Sequence, residues 1–217
     1  MAWEFSTSTA AQTQQLAENL AQLLKAGDLI ILSGELGAGK TTFTQGLGRS
    51  LGVREGIISP TFVLVRIHPN LPDGPNPGGP DLVHVDAYRL GSPGEIDDID
   101  LENTMDTSVT VVEWGAQRVE HLAASRLEIE LVRAVGGDSA VGGDKPSADI
   151  PAMASHTDAE PIGAAASIDG DASDAADTFD YADEDDDEPR TLRLQAVGPR
   201  WEGIDFSVLG QLVNTTE

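Results

Sequence analysis

Leu29-Ile30-Ile31-Leu32-Ser33-Gly34-Glu35-Leu36-Gly37-Ala38-Gly39-Lys40-Thr41-Thr42 is the stretch on which the fold turns. Its four consecutive aliphatic residues have the pattern of a strand buried on both faces. The loop that follows matches G-x-x-x-x-G-K-S/T in full, and Thr42 to Leu51, closed by Gly52, reads as a helix. Strand, glycine loop, helix is the context a phosphate-binding loop requires. Its glycines let the backbone wrap closely round phosphates, so that consecutive N–H groups and the helix N-terminus face the negative charge. On this reading Gly34, Glu35, Leu36, Gly37, Ala38, Gly39, Lys40, Thr41 and Thr42 form the cradle. Lys40 reaches the β- and γ-phosphates, and the Thr41 hydroxyl is a ligand to Mg²⁺. The motif predicts an α/β P-loop fold that takes Mg-ATP or Mg-GTP as a hydrolase or kinase.

Upstream, Leu16, Leu20, Leu23 and Leu24 recur at helical spacing over Thr9 to Lys25, with Ser8 or Thr9 as N-cap and Gly27 at the end. Downstream, Phe62 to Ile67 reads as a strand after Ser59-Pro60-Thr61, and the proline- and glycine-rich His68 to Asp81 as a loop. Leu82 to Val85 and Val109 to Val112 are short strands that run into Asp86 and Glu113, with a short acidic helix expected within Pro93 to Thr104. Leu127 to Val132 and Thr191 to Val197 alternate strictly and read as an antiparallel pair. The segment between them is rich in Ala, Gly, Ser and Asp, cannot bury enough surface to offset its ordering entropy, and is expected to be disordered. The predicted organisation is a P-loop core over 1–133, a disordered acidic insertion over 134–189, and a C-terminal strand and tail over 190–217 that completes the core.

The net charge of −24 is uneven. Sixteen of the 37 acidic residues but one of the 13 basic ones lie between Ala134 and Pro189, so that stretch carries −15 and the remainder −9. An acidic surface argues against an autonomous grip on nucleic acid, which needs clustered Lys and Arg to displace counterions. With no cysteine, disulfides, zinc-thiolate sites and thiol nucleophiles are excluded. The N-terminus lacks the pattern of a signal peptide, and no apolar run approaches the roughly 20 residues of a membrane span. The expectation is a cytoplasmic protein with no membrane partner.

A nucleotide hydrolase also needs a carboxylate at a strand end to hold the metal or its water. Glu113 is the first choice and Asp86 the competitor; a blander role for either is to cap a loop or pair with an arginine such as Arg89. The hydroxyls of Ser59 and Thr61 enter a strand where P-loop proteins keep a γ-phosphate sensor, though a proline turn with an incidental Thr fits as well. His84, on an apolar strand, reads as a core or rim histidine, and Trp114 as a core aromatic before a stacking one.

Together G-E-L-G-A-G-K-T-T-F (34–43), S-P-T-F (59–62), V-D-A-Y-R-L (85–90) and V-E-W-G (112–115) resemble the TsaE family in order and spacing. The resemblance covers roughly residues 3 to 133 and resumes near Arg190. It implies a small P-loop ATPase with a mixed, mainly parallel sheet flanked by helices. Such a protein acts with TsaD and TsaB in making N6-threonylcarbamoyladenosine beside the anticodon of tRNAs that read A-starting codons. TsaD transfers the threonylcarbamoyl group, and the ATP cycle of TsaE resets or activates the TsaD–TsaB pair, so tRNA is met through the complex. Carried onto this chain, the resemblance gives phosphate contacts to Gly37–Thr42 and Mg²⁺ to Thr41 and Glu113. It puts Thr61 in a switch-like segment, Asp86 in a motif for hydrolysis, and further ATP contacts at Ser8 or Thr9 and at Arg190. The chain departs from the family pattern in its longer, proline-rich 68–81 loop and in the acidic insertion directly before Arg190.

Other functions on the same loop are a small-molecule kinase, a GTP switch, or a nucleotide-dependent scaffold. A kinase usually carries a mobile arginine-bearing lid, and Arg118, Arg126 and Arg133 form no clear lid pattern. Guanine readers generally carry N-K-x-D, which this sequence lacks.

Overall fold

A computed structural model describes residues 2–90, 93–97, 99, 101–133 and 188–213. Along the chain run β1 (Ala2–Thr7), α1 (Ala10–Ala21), β2 (Leu29–Ser33), α2 (Lys40–Leu51), β3 (Val65–His68), β4 (Asp81–Asp86), α3 (Pro93–Asp97) and α4 (Glu102–Met105). After them come β5 (Ser108–Glu113), β6 (Arg126–Arg133), β7 (Arg190–Val197) and α5 (Val208–Val213). The strands form one sheet in the order β1-β7-β6-β2-β5-β4-β3. β6, β2, β5 and β4 pair in parallel, while β3 against β4, β7 against β6 and β1 against β7 are antiparallel. This is the mixed, mainly parallel sheet that was expected. The acidic insertion lies outside the described residues except for Glu188 and Pro189.

The continuous apolar run Leu29–Leu32 makes the central strand because neighbours cover both its faces. Ile30 and Leu32 join a core with Leu16, Leu20, Phe43, Leu47 and Leu51 of α1 and α2, whereas Leu29 and Ile31 join a second core with Val83, Val85, Ile96 and Met105. The alternating strands β6 and β7 bury Leu127, Ile129, Leu131, Leu192 and Leu194 in the first core only. Their other face carries a cross-strand ion ladder, Glu4–Arg193–Glu130, with both N···O distances 3.2 Å.

Four local expectations shift. Trp3, Phe5 and Thr7 alternate on an N-terminal strand, β1, that the sequence reading passed over. α1 ends at Ala21, four residues before the expected limit, because Leu23 and Leu24 N–H donate to the Leu20 and Ala21 carbonyls and start a turn. Gly27 sits in the next turn, which Asp28 N–H closes on the Lys25 carbonyl, with φ +91°, and donates to the Ser108 carbonyl. β3 begins at Val65 and not at Phe62: the Pro60 carbonyl accepts from both Val63 and Leu64 N–H, which folds 61–64 into a turn and leaves Phe62 exposed. The acidic helix is two pieces, α3 and α4.

α1 and α2 pack closely because Gly46 has no side chain. A Cβ there would lie 2.3 Å from the Gln14 carbonyl oxygen and 2.9 Å from Ala17 Cβ. Gly46→Ala is therefore expected to destabilise the fold by about 1–3 kcal/mol through overpacking. A urea midpoint equal to that of the parent would contradict this close approach.

His68, at the end of edge strand β3, is buried with its ring 6.4 Å from that of His84. Burial, then the neighbouring His84, then Arg66 hold its pKa below the ordinary histidine value. Just below that value the unfolded chain binds more protons at this site than the native state. The contribution to stability is complete above it and is lost as pH falls through the window beneath. His68→Leu should lose less stability than the parent between about pH 7 and about pH 5, compared by urea midpoints. Equal losses in the two proteins would show that His68 does not titrate in this way.

Candidate active site: the phosphate loop and the strand-end carboxylates

Ligands of open α/β sheets bind beyond the carboxyl ends of the parallel strands, and the chemistry-bearing residues converge there. The register sets Glu113 beside Leu32 on one side and beside Asp86 on the other. The loop that leaves β2 therefore passes next to both carboxylates. Gly34 enables that path: its φ is +137°, and a Cβ would meet the backbone oxygen of Leu131 at 2.3 Å. Glu35, Leu36 and Gly37 are exposed at the mouth, Ala38 is buried, and Gly39 stands at the N-cap of α2.

Lys40 folds back over the loop and donates from Nζ to the Gly34 and Glu35 carbonyls at 3.0 and 2.9 Å. Its ammonium also lies 3.9 Å from the centroid of the Trp114 ring, a cation–π contact. Trp114 holds that place with φ +61°, strained for a bulky residue, while its N–H donates to the Leu32 carbonyl. Burial pulls the Lys40 pKa below the ordinary lysine value, and the negative charges of Glu113 and then Asp86 oppose that shift.

The Thr41 hydroxyl donates to Glu113 Oε1 at 3.0 Å. With its proton so directed, Oγ1 keeps its lone pairs for a cation. A hydroxyl beside a carboxylate is an oxygen donor set suited to Mg²⁺, and with the cradle round Gly34 these residues fit Mg-ATP. His84 Nε2 lies 2.8 Å from the same Glu113 oxygen. Asp86 is occupied differently. Its Oδ2 accepts from the Ser59 hydroxyl at 2.8 Å and from the Thr61 hydroxyl at 2.5 Å, and its Oδ1 from Tyr88 N–H at 2.9 Å. The partner of Asp86 is thus the Ser59–Thr61 turn and not Arg89.

Arg190 is buried at the start of β7, with Nε 3.3 Å from where a Gly39 Cβ would sit. Arg133, its register partner, lies equally close to Gly37, with Nη1 3.2 Å from the corresponding point, and forms an ion pair with Glu188. Thr9 is the N-cap of α1, where its hydroxyl accepts from Gln12 N–H at 3.1 Å. It follows two residues after Thr7, which pairs in register with Arg190. Lys40, Thr41, Glu113 and Arg190 thus meet at the phosphate loop, Asp86 and Thr61 form an adjoining cluster, and Thr9 serves its helix. The roles of His84, Trp114 and Arg133 escaped the sequence reading. For His84 a signal existed: it shares a strand face with Asp86, two residues on.

A family model described as threonylcarbamoyl adenosine biosynthesis protein TsaE matches residues 7–138. Among relatives, the tRNA threonylcarbamoyladenosine biosynthesis protein TsaE of Streptomyces coelicolor is 56% identical over 124 residues, covering 57% of this chain and 80% of that protein. The proteins of the same name from Mycobacterium leprae and Bacillus subtilis are 43% and 35% identical. These alignments cover 56% and 60% of this chain, and 76% and 78% of theirs. The crystal structure of Bacillus subtilis YdiB shares the fold, with a TM-score of 0.55 at 24% identity over 99% of this chain and 95% of that one. Since the family model spans more than half of its residues, the chain belongs to the TsaE family of threonylcarbamoyl adenosine biosynthesis proteins.

Proposed function

We propose that this protein is the Mg-ATP-hydrolysing member of a TsaD–TsaB assembly, and that its ATP cycle serves formation of N6-threonylcarbamoyladenosine beside the anticodon of tRNAs reading A-starting codons. The observation that carries the reading is the single cluster of Lys40, Thr41 and Glu113 at the phosphate loop, joined by the Thr41–Glu113 hydrogen bond of 3.0 Å. The family membership supports the place in tRNA modification. TsaD would perform the threonylcarbamoyl transfer, and this chain would reset or activate the pair.

On this reading the loop amides and Lys40 hold the phosphates, with Arg190 at Gly39 adding positive charge. Lys40 would then leave the Gly34 and Glu35 carbonyls for phosphate oxygens, which repay its burial with stronger, charge-assisted bonds. Thr41 and Glu113 would hold Mg²⁺, which supplies neutralisation of charge on the phosphoryl oxygens. Asp86 keeps the Ser59 and Thr61 hydroxyls at the same end of the sheet, where they would orient the attacking water. Catalysis of this kind rests on positioning and electrostatics. The acidic balance of the chain supports contact with tRNA through the partners.

The kinase alternative asks for an acceptor pocket beside the phosphate loop. A cavity of about 440 Å³ lined by Trp3, Trp201 and Ile204 also touches Ala196 and Gly198, at the opposite end of β7 from Arg190. That position gives the alternative no support.

The test is the ATP hydrolysis rate with and without the cognate TsaD–TsaB pair. Weak turnover alone and a rise of about tenfold or more with the partners are expected, with Lys40→Ala abolishing both, because one group stabilising transition-state charge contributes about 10²–10³ in rate. Partner stimulation that persists in Lys40→Ala, or ATP bound with no stimulation, would overturn the reading.

A further inference from the structure

His84 is fully buried in the middle of β4, yet its imidazole is not simply core filling. Nε2 lies 2.8 Å from Glu113 Oε1, the oxygen that also accepts from Thr41. A carboxylate can only accept, so the proton of this bond belongs to the ring, and Nε2 is the protonated nitrogen. Nδ1 is buried with no partner. Oε1 thus receives two donors from two different elements, β4 and α2, while Oε2 receives none among the described residues.

Glutamate at a strand end has three side-chain torsions and many rotamers. Two donors on one oxygen select among them, and the oxygen left over is the one with lone pairs to offer. The hydrogen bond from Thr41 would not suffice alone, since that hydroxyl rotates and must also meet the cation. The His84 ring is held by its burial and cannot rotate away. Its only nitrogen towards the site is already committed to Glu113, and with no exposure it does not reach a substrate as a base. Hydrogen bonds that orient a metal-binding side chain from behind typically alter metal affinity by 10–100-fold.

We propose that His84 is the positioning residue for Glu113: its Nε2–H and the Thr41 hydroxyl together fix the carboxylate so that Oε2 is the oxygen offered to Mg²⁺ or its water. The inference rests on the Mg-ATP reading above.

Three substitutions separate positioning from packing. The amide nitrogen of His84→Gln reproduces Nε2, that of His84→Asn falls short by one methylene, and His84→Leu fills space without a donor. Binding of a fluorescent ATP analogue is measured against Mg²⁺ concentration and again in chelator, with urea midpoints as the fold control. His84→Asn and His84→Leu should raise the Mg²⁺ concentration at half effect about tenfold and leave affinity in chelator unchanged, while His84→Gln stays near the parent. If Leu proves too disruptive to fold, the Gln–Asn contrast carries the result. Unchanged Mg²⁺ dependence in Asn, or Gln failing as badly as Asn at equal stability, would overturn the proposal. Imidazole ¹⁵N spectra of the nucleotide-free protein give a readout that needs no metal. A proton on Nε2, with a resonance that shifts in Glu113→Gln, is expected, and a proton on Nδ1 instead would overturn the proposal. A parent protein that binds no nucleotide with Mg²⁺ would sink the functional reading while these spectra still decide the His84 contact.

Discussion

The carboxyl edge of the sheet is organised round one oxygen atom. Glu113 Oε1 accepts from Thr41 on α2 and lies against His84 on β4, and the strand that carries it pairs in parallel with β2 and β4. Three consecutive elements of the sheet are therefore tied at the point where the phosphate loop begins. The tie forms only in this register. Because side chains alternate with period two, a slip of one residue between β4 and β5 would put Glu113 and His84 on opposite faces of the sheet.

On the proposed reading Lys40 has a different problem, for its ammonium would have to remain charged in a buried place. Burial works against the charge, and the loop answers with two carbonyls, an indole face and two nearby carboxylates. The strained backbone of Trp114 belongs to this answer, since it places an aromatic face where no further carboxylate is needed. Excess negative charge at that point would oppose a polyanionic ligand. An aromatic ring stabilises the cation without that penalty.

Much of this was legible because local pattern and tertiary environment agree. The run Leu29–Leu32 announced a strand covered on both faces, the glycine loop announced its turn, and Glu113 and Asp86 announced themselves as acids at the ends of apolar runs. The alternation of Leu127–Val132 with Thr191–Val197 foretold an antiparallel pair that spans Arg126 to Arg133. What escaped depends on contacts distant in sequence. Phe62 and Val63 have strand propensity, yet a turn round the Pro60 carbonyl takes them out of the sheet. The apolar neighbours of His84 indicated core; the strand face it shares with Asp86 pointed towards the site, and the pairing of β4 with β5 adds the Glu113 carboxylate beside it. Ala2–Thr7 alternates too, but its place in the sheet depends on pairing with β7, nearly two hundred residues away in sequence.

The position of the acidic insertion follows from the same sheet. The chain leaves β6 at Arg133 and enters β7 at Arg190, and these two residues are the last register pair of the hairpin. Loop-closure entropy rises slowly, by about 0.6 kcal/mol for each doubling of length. A hairpin whose register is held by Leu127, Ile129 and Leu131 on one strand and Leu192 and Leu194 on the other can therefore accept a long connection without shifting. What the hairpin delivers to the phosphate loop, Arg190 beside Gly39 and Arg133 beside Gly37, is set by the paired strands and not by the length of what joins them. Although the acidic segment directly precedes it in sequence, Arg190 is set beside Gly39 by the regular pairing of β7 with β6 and β1.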